Sequence, residues 1–356
     1  VRRFKLIIFE EQFIQTLFAY HISSFMDYMD VESDIVQARF NGIDQGFYLY
    51  EEALSKEMLE KNNLAGVDLI KAHDEWTHQY LTGHLTLFTH ELANQDLRNY
   101  SGKDVGQLFL YKKLMEARDY KEIEGLVDLD RFAKHEAMRI LFGTDQSITG
   151  DNLRLLFDTT SGKFFPYFRM EGYLLPLPYS ELSKTFDKEL NDWFGYDYKI
   201  KIFPILNRNK EFRALRNKHL FKLLNARNEL EEYYLELFNK YSSLVGKDRT
   251  NNYPGRWYLY KMNSSLSALS SNFDYIEKYL NYSKVFTSLY QLTEKDYMIE
   301  IVPDSNSPVK INEIQLGELD PNVVVQIRDS LDKENVYVKT SLKDFFSDKY
   351  FSLSLD

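Results

Sequence analysis

An α+β fold is the class this sequence predicts, and three observations predict it. A hairpin signature stands at Ser33 to Glu51, an amphipathic helix runs between Asp128 and Gly143, and β-rich runs recur after Lys295. The chain has 356 residues, and at about 150 residues per domain that length fits two structural units.

The elements follow in order. Val1 to Phe9 reads as a strand, or a strand leading into a helix; with no initiator Met and no signal peptide, the expectation is that an upstream segment has been removed. In the first hairpin Val36, Ala38 and Phe40 alternate, Asn41-Gly42 to Gly46 supplies turn residues, and Phe47, Leu49 and Glu51 alternate again. A helix is expected from about Glu52 to Lys61, then a polar, His-containing insertion from His73 to Lys103, helical in part. Leu129, Phe132, Ala133, Glu136, Ala137, Ile140 and Leu141 share one helical stripe, with Asp128 as N-cap and Gly143 as C-cap. Glu136 is the charged residue on that stripe, and its expected role is support, either at a boundary position or as the partner of a nearby Arg. A second hairpin joins Leu153–Phe157 to Lys163–Phe168 through a turn at Asp158 to Gly162. Helices are expected over about 211–244, with a possible break, and over about 257–280. The runs 298–302, 309–311, 323–327, 336–338 and 351–355 predict a small sheet. The expected boundary lies near residue 290, giving units 1–290 and 291–356.

Composition narrows the chemistry. Hydrophobic residues make up 44% and aromatics 15%, with 26 Tyr and 26 Phe, which is ample for a folded core and excludes wholesale disorder. Lys and Arg number 44 against 54 Asp and Glu, a net charge of -10, which argues against a nucleic-acid partner. No run of about 18 uncharged apolar residues predicts a membrane-spanning helix. The absence of cysteine removes disulfides, thiolate ligands and cysteine nucleophiles.

The motif search excludes more than it includes. His73, His78, His84 and His90 invite a metal reading, but gaps of five and six residues rotate successive side chains by roughly 140° and 240° on a helix. No i, i+4 pair forms, and no His-Glu-x-x-His element exists. The Gly-x-Gly-x-x-Gly, Gly-x-x-x-x-Gly-Lys and Gly-x-Ser-x-Gly signatures are also missing. What remains is an order of parts: a helix, then Asp145, then Asn152, then a hairpin, then Glu171. Kinases arrange phosphoryl transfer in this order, with a loop Asp at the hydroxyl, a downstream Asn on metal and a further acid after the next hairpin. The bland alternative is that Asp145, Asp151 and Asn152 are turn formers.

At this point the residues resemble a family. Ala38 to Glu52, with its Asn41-Gly42 and Gly46-Phe47-Tyr48, is similar to the hairpin of the spore coat protein H (CotH) family of secreted atypical protein kinases. Val127 to Asp145, then Asp151 to Asp158 and Ser161 to Pro166, resembles its second signature block, and the stretches 207–224 and 257–279 resemble its helical lobe. The likeness spans roughly residues 1 to 285. It implies a kinase-like bilobal fold with a helical C-terminal lobe, ATP with Mg²⁺ or Mn²⁺, Ser of a protein substrate as acceptor, and a secreted or cell-envelope location. Carried over by position, Asp145 becomes the catalytic-loop acid, Asn152 a metal and nucleotide ligand, and Glu51 or Glu52 a structural or nucleotide-site carboxylate.

Two departures stand beside it. The family ends its second hairpin with Asp-x-Asp, whereas this chain has Phe168-Arg169-Met170, leaving Glu171 as the substitute metal carboxylate. The family's upstream strands, with the basic residue expected at the phosphates, have no counterpart in this reading. Three functions therefore remain open: a metal-dependent kinase, a kinase-like interaction module of the coat or envelope, and a polymer-binding surface protein presenting tyrosines. The last competes with the fact that most aromatics are core.

Overall fold

The computed structural model describes residues 4–8, 13–64, 67–73, 89–92, 105–144, 153–168, 174–177, 202–245, 255–281, 283–291, 297–305, 310–311, 324–328, 336–341 and 353–354. The chain divides into two compact units, Val1–Lys278 and Tyr279–Asp356. It mixes helices with small antiparallel sheets. Among the described residues no helix is long and apolar enough to cross a membrane.

The first unit opens with β1 (Phe4–Ile8), α1 (Phe13–Phe25), β2 (Ser33–Phe40) and β3 (Ile43–Glu52). The strands form one antiparallel sheet in the order β1-β3-β2. Asn41 and Gly42 make the β2–β3 turn at φ 52° and 77°, the mirror-image turn that matches strand twist. The register slips between Ala38 and Arg39, where Gln45 is the extra residue before Gly46 at φ 85°. That bulge is why the turn residues seem to extend to Gly46 in the sequence.

The helix expected from Glu52 starts later. Glu52 is the last residue of β3, and α2 covers Lys56–Lys61, because Ser55 caps it by accepting from the Met58 amide at 3.3 Å. β4 (Val67–His73) and β5 (Thr89–Leu92) follow, so His73 and His90 lie on paired strands one register position apart. His78 and His84 are outside the described residues.

Next come α3 (Val105–Glu116), α4 (Tyr120–Ile123) and α5 (Leu129–Phe142). Asp128 caps α5 by accepting from the Arg131 amide at 3.1 Å, and Gly143 ends it at φ 62°. The apolar stripe is wider than its pattern predicts. His135, Met138, Arg139 and Phe142 are buried too, so the second half of α5 is enclosed on every side.

β6 (Arg154–Asp158) and β7 (Lys163–Pro166) complete a four-stranded sheet in the order β5-β4-β6-β7. Both faces of this hairpin are buried, which explains the consecutive apolar residues Leu155, Leu156 and Phe157. Leu155, Phe157 and Phe164 enter one core with Phe132, Phe203 and Phe212. Leu156, Phe165 and Tyr167 enter another with Tyr20, Val31 and Met58. The hairpin is thus a shared wall between the core around α5 and the core reached by α1.

The helical part comprises α6 (Ile202–Arg208), α7 (Lys210–Asn225), α8 (Arg227–Val245) and α9 (Gly255–Leu280). The break expected in the 211–244 helix falls at Ala226. α1 lies among these helices: Phe13 to Tyr20 is buried without interruption, the Phe18 ring sits 5.7 Å from Phe142 and 5.2 Å from Tyr234, and Gln15 donates to the Ser265 hydroxyl at 2.7 Å. Tyr20, Tyr111, Tyr167, Tyr234 and Tyr241 are all interior, so these tyrosines are core rather than a stacking face.

The second unit contains the hairpin β8 (Ser283–Gln291) with β9 (Tyr297–Ser305), and the strand pairs β10 (Lys310–Ile311) with β13 (Leu353–Ser354) and β11 (Val324–Arg328) with β12 (Val336–Ser341). The sequence reading misses β4, β5 and β8: β5 lies in the stretch expected to be helical in part, and the Ser, Lys, Thr and Gln of β8 dilute its β-branched signal.

Candidate functional site

Of the site residues singled out from sequence, Glu51 and Glu52 fall within the described residues; Asp145, Asn152 and Glu171 lie outside them. Glu51 and Glu52 are consecutive strand residues, so they face opposite sides of the sheet. Both are buried, at 2% and 4% exposure, and a carboxylate removed from water needs compensating partners.

Each carboxylate has its own set. Glu52 lies 3.4 Å from Lys61 Nζ of α2 and accepts from the Glu32 amide at 3.5 Å, while Lys61 also reaches Asp30 at 3.1 Å. That is a tie between sheet and helix. Glu51 stands directly opposite Lys5 in the β1–β3 register, with Lys5 Nζ 3.6 Å from its Oε1. The Tyr20 hydroxyl of α1 donates to its Oε2 at 2.8 Å. Lys5 keeps 43% of its side chain exposed, so the pair joins a buried anion to a cation that reaches solvent. The sequence reading finds no counterpart of the family's upstream strands or of their basic residue; β1 is a strand upstream of the first hairpin and carries Lys5. Its position mid-strand between Phe4 and Leu6 is the available signal, whereas nothing in the apolar run of α1 singles out Tyr20.

α5 delivers the chain to the predicted catalytic loop from a fixed point. At its start, the Asp128 amide donates to the Phe164 carbonyl at 2.8 Å, and the Phe164 amide donates to Leu126 at 2.7 Å. At its end, Asn272 of α9 donates to the Leu141 and Leu175 carbonyls, both at 2.8 Å, and accepts from the Leu177 amide at 2.6 Å. Thr144, the last described residue before Asp145, is 3% exposed.

Glu136 is a support residue, as expected, in a larger network than one arginine. Arg139 donates to it from Nε at 2.8 Å and from Nη2 at 2.7 Å, and Asn207 of α6 donates at 2.8 Å. Arg216 of α7 donates to the Asn207 oxygen at 2.7 Å. Burial alone would raise the Glu136 pKa; the Arg139 charge and these hydrogen bonds outweigh it and hold the carboxyl well below its ordinary range. Next to it in the chain, His135 sits in an aromatic shell, its ring centre 5.6 Å from both Phe168 and Phe203 and 6.5 Å from Tyr28. Burial pushes its pKa down to about 3, so it is neutral.

Phe168 is the described position at which a metal can be tested. It is 1% exposed and packs against His135 and Phe142, with no oxygen ligand to offer a hard cation. Among the described residues no group of three or more His, Asp or Glu side chains is arranged to hold a metal ion.

No protein-family model matches the chain, and no curated protein matches it. Among solved structures it is similar to the proinflammatory kinase CtkA of Helicobacter pylori, at 12% identity over 78% of this chain and 90% of that one, with a TM-score of 0.30. That likeness is too slight to fix the fold.

Proposed function

We propose that the chain is a CotH-like protein kinase that transfers phosphate from ATP to Ser of a protein substrate in the cell envelope or outside the cell. The Lys5–Glu51 pair carries this reading. Phosphoryl transfer is driven by fixed positive charge around the phosphates, and a lysine held by a glutamate is a recurring part of kinase sites. Here the glutamate comes from a neighbouring strand and is itself buried. Lys5 takes the phosphates, and Asp145, two residues beyond the pinned end of α5, accepts the Ser hydroxyl proton. Asn152 and Glu171 would hold the divalent ion, which supplies charge neutralisation at the phosphates.

The test is ATP affinity with and without Mg²⁺ or Mn²⁺, followed by transfer of labelled phosphate. Lys5→Ala is expected to weaken binding roughly 10- to 100-fold, the worth of a charge-assisted hydrogen bond. Asp145→Asn is expected to remove transfer and spare binding. Equal affinity with and without metal, together with no transfer by wild type, overturns the enzyme.

The buried Phe168 favours a second reading, a catalytically impaired kinase-like module that acts by interaction. In that case Glu171→Gln leaves nucleotide binding unchanged; in the active enzyme it abolishes the metal-dependent part.

A further inference from the structure

We infer that Tyr20 is a positioning residue for Lys5, acting through Glu51, so that α1 fixes the direction of the lysine; the assignment of Lys5 to phosphate rests on the proposed kinase reading. The two oxygens of Glu51 are divided between two elements: Oε2 accepts from Tyr20 at 2.8 Å and Oε1 faces Lys5 at 3.6 Å. The shorter contact is a hydrogen bond and the longer one an ion-pair attraction, so the helix sets the carboxylate's orientation and the lysine follows it.

Tyr20 is suited to that task because it is itself immobile. It is 3% exposed and belongs to one buried cluster with Met29, Val31, Met58, Phe165 and Tyr167. The hydroxyl is thus presented to Glu51 from the wall that also borders the α5 core. A carboxylate at 2% exposure has little water to replace a lost donor, so removing the tyrosine hydroxyl forces it to reorient.

A four-protein comparison tests this: wild type, Tyr20→Phe, Lys5→Ala and the double variant, each titrated with Mg·ATP. Tyr20→Phe is expected to weaken binding roughly 3- to 10-fold when Lys5 is present and not at all in the Lys5→Ala background. Equal losses in both backgrounds mean a merely structural tyrosine and overturn the inference. A second readout needs no nucleotide. Acetylation of Lys5 by acetic anhydride, measured by mass spectrometry against the exposed Lys163, should change at least about twofold in Tyr20→Phe, since a reoriented carboxylate no longer covers the amine in the same way. An unchanged ratio overturns the Tyr20 link. If wild type binds no ATP, the kinase reading fails while the acetylation ratio still decides the link. Should Tyr20→Phe fail to fold, Glu51→Gln, which keeps an acceptor for the hydroxyl, is expected to weaken binding only where Lys5 is present; equal loss in the Lys5→Ala background overturns the inference.

Discussion

A methyl group on Gly143 would stand 2.0 Å from the Leu175 carbonyl oxygen, in a backbone conformation of φ 62° that L-residues resist. Neither problem has a flexible neighbour to absorb it. Gly143→Ala should therefore cost about 2 kcal/mol or more in urea unfolding, and a loss below about 0.5 kcal/mol would show that the 174–177 segment yields. His135 makes a pH prediction. Its pKa is lowered to about 3 in the fold, so the unfolded chain takes up a proton that the folded chain refuses. Its stabilising contribution is complete above about pH 6.5 and declines as pH falls from there toward 3, at up to about 1.4 kcal/mol per pH unit. His135→Leu should flatten the decline between pH 6.5 and 5, above the range where Glu136 takes up a proton, when unfolding midpoints are compared.

At the scale of elements, the β2–β3 turn isolates a backbone cost. A Cβ at Gly42 would meet nothing within 4 Å, so Gly42→Ala should cost about 1 kcal/mol through its φ of 77° alone. Thermal unfolding checks it, and an unchanged midpoint would mean the turn can re-form in another type. This hairpin, α5 with both caps, and the second hairpin were legible because turn chemistry, capping and alternation are local signals carried by a few residues. α1 was not legible as a buried helix. Its polar residues Gln15, Thr16, His21, Ser23 and Ser24 are scattered around the helix rather than gathered on one face, and its burial is decided by Phe142, Tyr234 and Ser265, far away in the chain. The early start assigned to α2 fails for a similar reason: Glu52 looks like a helix former, yet it ends a strand that Lys5, Tyr20 and Lys61 hold.

For the whole molecule, Lys5, Tyr20, Glu51 and α5 belong to the unit Val1–Lys278. Residues 1–281 expressed alone should therefore unfold in one cooperative transition and keep whatever Lys5-dependent nucleotide affinity the full chain has. A noncooperative melt, or affinity lost with the β-rich unit, would place part of the site outside the first unit. The candidate site was only partly legible. Asp145, Asn152 and Glu171 emerge from an order of parts and a family resemblance, which name residue types but not distances. The Lys5–Glu51–Tyr20 arrangement could not be read, because it depends on strand register and on where one helix lands.

The Gln15–Ser265 hydrogen bond joins residues 250 positions apart. On a ribosome adding about 5–20 residues per second, α1 emerges roughly 12 to 50 s before the helix that finally encloses it. Through the first part of that interval, before α5 and α8 have emerged, the run from Phe13 to Tyr20 has no helical cover, and this chain is expected to need a holding chaperone early in its synthesis rather than at its end.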